Sequence, residues 1–112
     1  VGIDWNKTFL IKGWFSDTLT EETRKKYTIS KVSVIMMDCD IHSSSKASLE
    51  FCAPLIKDKT IIIFDDWNGR DMGEGKAFDE FLQENPHFKA EKFGTYKPSG
   101  KIYLITNTLA SV

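Results

Sequence analysis

Two short clusters carry the residue types most capable of chemistry: Asp38-Cys39-Asp40 and Asp65-Asp66. Each follows directly on an apolar, β-branched run, VSVIMM (32–37) before the first and TIIIF (60–64) before the second. Such runs predict strands buried on both faces, as in a parallel sheet. From Asp38 to Asp65 the chain advances 27 residues, room for one helix, one strand and their loops. A right-handed crossover of that size sets two parallel strands side by side. Both clusters then lie at carboxyl ends of strands, where open α/β sheets bind ligands. Carboxylates gathered there repel one another unless a cation joins them. An all-oxygen set suits Mg²⁺, Mn²⁺ or Ca²⁺, with Mg²⁺ keeping water or substrate oxygens in its other positions. Without a ligand the same aspartates would simply cap the helix and loops that follow. Two clusters on consecutive buried strands favour the metal.

The elements that must position these aspartates can be read from periodicity. Lys7 to Lys12 (KTFLIK) reads as a short strand ending at Gly13, and Ser16 to Lys26 as a helix capped by Ser16 or Asp17. Arg24, Lys25 and Lys26 complement that helix's C-terminal dipole. After the first acidic cluster, Ser43-Ser44-Ser45 supplies an N-cap, and Ala47, Phe51 and Leu55 form a helical stripe. Asp71 to Glu84 is a second amphipathic helix stopped by Asn85-Pro86. His87 to Phe93 and Lys101 to Thr106 flank the turn signal Lys97-Pro98-Ser99-Gly100, an antiparallel hairpin closing the sheet. The predicted order is β-α-β-α-β-α-β-β, one α/β domain.

Composition agrees with this. The 112 residues are enough for one domain, with 41% apolar and 28% charged side chains and eight Phe and three Trp for a core. A formal net charge of −1 gives no global field for nucleic acid or an anionic membrane. No apolar run is long enough to span a bilayer and no signal peptide opens the chain, so neither partner is expected and a cytoplasmic location is. Cys39 and Cys52 form no CxxC pair, which fits a reducing compartment. They read as a small residue at a strand end and a helix-core residue. The first residue is Val1, which suggests a processed chain or a piece of something longer.

The stretch MMDCDIHSSSKASLEFCAPLIKDKTIIIFDDWNG, followed by GEGKAFDEFL, resembles the macrocin O-methyltransferase family. That family's pattern is Asp-x-Asp-Leu-Tyr-x-Ser-Thr, then a strand ending in Asp-Asp-Trp or Asp-Asp-Tyr. Upstream, FLIKGWFSDTL is similar to its Lys-Gly-x-Phe-x-x-Thr-Leu segment. These are class I, S-adenosylmethionine-dependent and metal-dependent sugar O-methyltransferases. The resemblance implies a Rossmann-like, mostly parallel sheet with a C-terminal antiparallel hairpin, of strand order 3-2-1-4-5-7-6. Residues 1–112 would be its C-terminal portion, lacking the first two strands. It implies Asp38, Asp65 and Asp66 as ligands of Mg²⁺ or Mn²⁺, holding hydroxyls of a glycoside or other vicinal diol. Asp38 would also be placed to accept the hydroxyl proton. Trp14 and Phe15 fall where such enzymes keep residues near the adenine, although as unassisted sequence they are aromatic core. His42 stands where the family usually carries Tyr; it is a candidate proton acceptor or a solvated loop histidine. Trp67 lines the acceptor pocket or anchors its loop.

The seven glycines include no GxGxG after a strand, so the loop that holds the cofactor's methionine is missing. Gly73-Glu74-Gly75-Lys76 hints at a phosphate loop but lacks the Ser or Thr after the Lys and the upstream glycine. Weak S-adenosylmethionine binding, or none, and no activity alone are therefore expected. KTFLIK would be strand three without its partners, left to pair elsewhere, stay unpaired or join another chain. An exposed edge at strand four invites a homodimer. Two other readings compete. One is a non-catalytic methyltransferase-like module for binding or dimerisation. The other is a receiver-like Mg²⁺-dependent phosphotransfer domain, in which the Asp pair would come before the single Asp rather than after it.

Overall fold

The computed structural model describes residues 2–67, 69 and 72–110. Two short helices, α1 (Phe15–Thr18) and α2 (Glu21–Lys26), lead to strand β1 (Val34–Met37). Helix α3 (His42–Cys52) runs into a 3₁₀ turn at Ala53–Leu55 and then β2 (Lys59–Phe64). Helix α4 (Gly73–Glu84) is followed by the hairpin strands β3 (Phe88–Lys97) and β4 (Gly100–Asn107).

The four strands form one mixed sheet in the order β1-β2-β4-β3. β1 and β2 are parallel, with Met37 opposite Phe64, as the crossover length requires. The other two pairings, β2 with β4 and β3 with β4, are antiparallel. The sheet is thus α/β and mixed rather than mostly parallel. The tight turn at Pro98-Ser99 obliges β4 to run against β3, and β4 rather than β3 docks on β2.

Helices α3 and α4 cover one face of the sheet. Ile35, Met37, Ile62, Phe64 and Ile105 meet Leu49 from α3 and Ala77, Phe78 and Phe81 from α4 in a single buried cluster. Phe64, at its centre, packs on both Trp67 and Phe78 with ring centroids 5.1 and 4.8 Å away. Truncation of such a buried aromatic costs roughly 3–5 kcal/mol.

Five sequence expectations are corrected. β1 is buried on one face only: Val34 and Met36 are 58% and 54% exposed, because no helix packs on the sheet's second face among the described residues. KTFLIK is not a strand. Residues 8–12 are irregular, Phe9, Leu10 and Ile11 are exposed, and Phe9 instead packs at a tilt against Tyr27, ring centroids 4.9 Å apart. The helix expected over 16–26 is broken at Leu19-Thr20, since Thr20 adopts extended backbone and its hydroxyl caps α2 by accepting from the Thr23 N–H at 3.3 Å. Ser16 and Asp17 therefore lie inside α1. The three serines do not cap α3 either: it begins after Ile41, and Ser45 is buried within it. The helix predicted from Asp71 starts at Gly73, with Asp71 itself outside the described residues. Among the described residues no helix is long and apolar enough to cross a membrane.

Candidate functional site

Strand register brings the two acidic clusters together. The Asp65 N–H donates to the Met37 carbonyl at 3.0 Å, so Asp38 and Asp65 leave their strands side by side. Their carboxyl groups are near enough for each to shift the other's titration. The C-terminal hairpin reaches over the pair. The Tyr96 hydroxyl donates to Asp65 Oδ1 at 2.5 Å, and Lys97 Nζ lies 3.1 Å from the same oxygen. These donors hold the Asp65 carboxyl below its ordinary pKa, Tyr96 contributing first and Lys97 next. The charge on Asp65 in turn pushes Asp38 upward. The bond to Asp65 raises the Tyr96 phenol to about 12. Two neighbouring carboxyls are thereby shifted in opposite directions, Asp65 downward and Asp38 upward.

A third carboxylate sets the spacing of the two loops. Glu74, in the first turn of α4, is fully buried. Its Oε2 accepts the backbone N–H groups of Cys39 and Asp40 at 3.2 and 3.3 Å. Its Oε1 accepts that of Asp66 at 3.2 Å. One side chain therefore ties the loop after β1 to the loop after β2, satisfying three backbone donors that would otherwise be unpaired. Burial raises its pKa while the three N–H groups oppose that rise. The flanking glycines allow this fit. A Cβ on Gly73, whose φ is +56°, would lie 2.9 Å from the Asp40 carbonyl, and one on Gly75 would lie 1.8 Å from the Gly69 carbonyl. Gly73-Glu74-Gly75 is thus a wedge between two loops. The sequence reading missed Glu74; an acid between two glycines at a helix start was the available signal.

The other candidates are placed differently. Asp66 joins the loop through its backbone bond to Glu74. His42, the first residue of α3, bonds the Glu80 carboxylate on α4, which Lys46 also approaches at 3.5 Å. The ring thereby links the two helices. Trp14 and Phe15 line a cavity of about 300 Å³ together with Ile41 and Ala47, and Trp14 is 81% exposed. Trp67 anchors its loop: its ring packs on Phe64, Phe78 and Tyr103, and its backbone N–H donates to the Ser99 carbonyl at 2.7 Å. Cys39 and Cys52 are free thiols, both half-buried.

The donor set fits a hard divalent cation in part. Two facing carboxylates are what Mg²⁺ commonly takes from a protein, leaving water or substrate oxygens for its other positions. Among the described residues, however, no group of three or more His, Cys, Asp or Glu is arranged around one point. The chain matches no protein-family model, no curated protein and no solved structure.

Proposed function

We propose that this chain is the acceptor- and metal-binding portion of an S-adenosylmethionine-dependent O-methyltransferase acting on a sugar or other vicinal diol. One observation carries the reading: Asp38 and Asp65 face each other at the carboxyl ends of neighbouring parallel strands, with their pKa values pushed apart. Asp38 is the group suited to accept a hydroxyl proton, and Asp65 the group held charged beside it. The strand order adds support. β1-β2-β4-β3, with β4 inserted antiparallel beside β2, corresponds to the 4-5-7-6 part of the class I methyltransferase order. Trp14 and Phe15 line one cavity with Ile41, three residues beyond Asp38, which sets aromatic surface beside this loop for an adenine.

Asp38 and Asp65 would hold the cation, with Asp66 as the third ligand. When bound, Mg²⁺ supplies a lowered pKa for an acceptor hydroxyl. The chain's own residues do the rest: Glu74 fixes the spacing of the loops, Asp38 takes the proton, and the Lys97 ammonium neutralises Asp65 while the Tyr96 hydroxyl hydrogen-bonds it until a ligand replaces them. A receiver-like domain is disfavoured because its doubly wound sheet is parallel, whereas two of the three pairings here are antiparallel. The non-catalytic module keeps one observation in its favour, the Lys97 ammonium already seated on Asp65.

Mg²⁺ titration followed by amide and carboxyl NMR decides between them. Saturable shifts at Asp38, Asp65 and Asp66, lost in Asp38→Asn and Asp65→Asn, are expected of the metal site. Silence at all three aspartates would favour the binding module. S-adenosylmethionine should bind this chain weakly or not at all, since no GxGxG follows a strand in the sequence. A stoichiometric micromolar isotherm would overturn that part.

A further inference from the structure

We infer that two copies of this chain associate through the uncovered face of the sheet, packing face to face. The pairing register places Val34, Ile61 and Leu104 in one row across β1, β2 and β4, and Met36, Ile63 and Ile102 in the next. All six project from the face opposite α3 and α4. Val34 and Met36 are more than half exposed, and the other four are only partly buried. A contiguous apolar face of this kind on a sheet is a surface that calls for a partner.

The exposed surface is large enough to include such a contact. A folded monomer of 12.8 kDa is expected to expose about 6,300 Å². This chain exposes 7471 Å², a surplus of roughly 1,200 Å² by the same scaling. Its radius of gyration, 14.2 Å, likewise exceeds the ~13 Å expected for its length. A stable dimer buries about 800 Å² on each partner. The surplus is shared with the exposed N-terminal segment, which includes Trp5 and Leu10. Two-thirds of it on the sheet face would suffice.

A second copy is the occupant this face suits best. A two-fold interface sets the same patch against itself, so it must be self-complementary. Apolar rows meet that condition where a single-sign charged patch would not. The border carries both signs, Lys59 and Lys89 along one side and Glu91 at the end of a row, so the rims need not repel. Asp38 and Asp65 follow two residues after Met36 and Ile63, at the strand-end border of this face. The inference does not depend on the methyltransferase reading.

Sedimentation equilibrium of the full chain between about 1 and 100 µM tests it. A mass twice that of the chain is expected. The double variant Val34→Lys, Met36→Lys should weaken association at least ~100-fold, because two ammonium groups would be buried without partners. Its far-UV circular dichroism should not change, both positions being exposed in the single chain. Lys25→Glu, on the exposed surface of α2, should remain dimeric. As a second readout on the unmodified chain, methyl NMR signals of Ile61, Ile63, Ile102 and Leu104 should shift on dilution while that of Leu49 should not. A wild-type monomer at 100 µM would overturn the proposal. So would a dimer that survives both lysines, which would point instead to pairing along the β1 edge.

Discussion

Glu74 accepts the Asp66 backbone N–H at 3.2 Å with one carboxylate oxygen and holds Cys39 and Asp40 with the other. The acid that α4 buries is therefore the link between the two loops that carry the candidate ligands. Each buried donor left without a partner costs about 1–3 kcal/mol. Glu74→Ala should accordingly destabilise the fold by roughly 3–5 kcal/mol. Glu74→Gln, which keeps one carbonyl acceptor, should lose less. Urea denaturation measures both. A loss below about 1 kcal/mol in the alanine variant would mean that the three N–H groups find other partners.

Asp38 and Asp65 should respond to pH and to substitution with opposite sign. Asp65 titrates below its ordinary 3.8 in the fold, so its stabilising effect is present above pH 3.8 and disappears as pH falls through the folded value. Asp38 titrates above 3.8. The fold resists its ionisation, and stability declines as pH rises from 3.8 through the raised value. In metal-free buffer at neutral pH, Asp38→Asn should therefore raise the melting temperature and Asp65→Asn should lower it. Added Mg²⁺ should stabilise the wild type and leave Asp38→Asn unmoved. Equal melting temperatures for the two variants without metal would contradict this division.

Tyr96 should report on Asp65 directly. Its phenol is raised from 10.0 to about 12 by the bond to that carboxylate. This contribution to stability is complete below pH 10 and vanishes as pH rises through about 12. Ultraviolet difference titration of the wild type against Tyr96→Phe isolates the group. Asp65→Asn should return its midpoint toward 10.0. A midpoint unchanged by Asp65→Asn would remove Tyr96 from the site.

The strands next to the aspartates were legible because local pattern and tertiary role agree there. Apart from Ser33, VSVIMM and TIIIF are β-branched or apolar, and both end directly in acids. The crossover length alone set Asp38 beside Asp65. What was not legible depended on contacts distant in sequence. Glu74 acquires its role from loops 34 to 35 residues upstream and 8 residues upstream of it, which no local pattern encodes. The sequence pattern ends the strand at Phe93 and puts Lys97 in the turn, yet the hairpin strands run on to Lys97 and from Gly100 and so carry Tyr96 and Lys97 to Asp65. KTFLIK holds a short apolar run between lysines, but a strand exists only where an edge is offered to it. Val34 and Met36 are apolar for a face that α3 and α4 do not cover.

Gly75 gives the sharpest separation between local and tertiary physics. It lies inside α4, where exchanging glycine for alanine ordinarily stabilises a helix by about 1 kcal/mol. Here the added Cβ would fall 1.8 Å from the Gly69 carbonyl, a backbone atom that cannot swing aside as a flexible side chain could. To admit it, either the start of α4 or the loop after β2 must move, and either movement pulls Glu74 away from the Asp66 N–H. Gly75→Ala should therefore destabilise the protein despite its better helix propensity. It should also weaken the Mg²⁺ response, because the spacing between the two aspartate loops is lost. Gly94→Ala is the control, since its Cβ would meet nothing within 4 Å. Thermal melts with and without Mg²⁺ check both variants. A Gly75→Ala protein as stable as wild type would show that the wedge is not what fixes these loops.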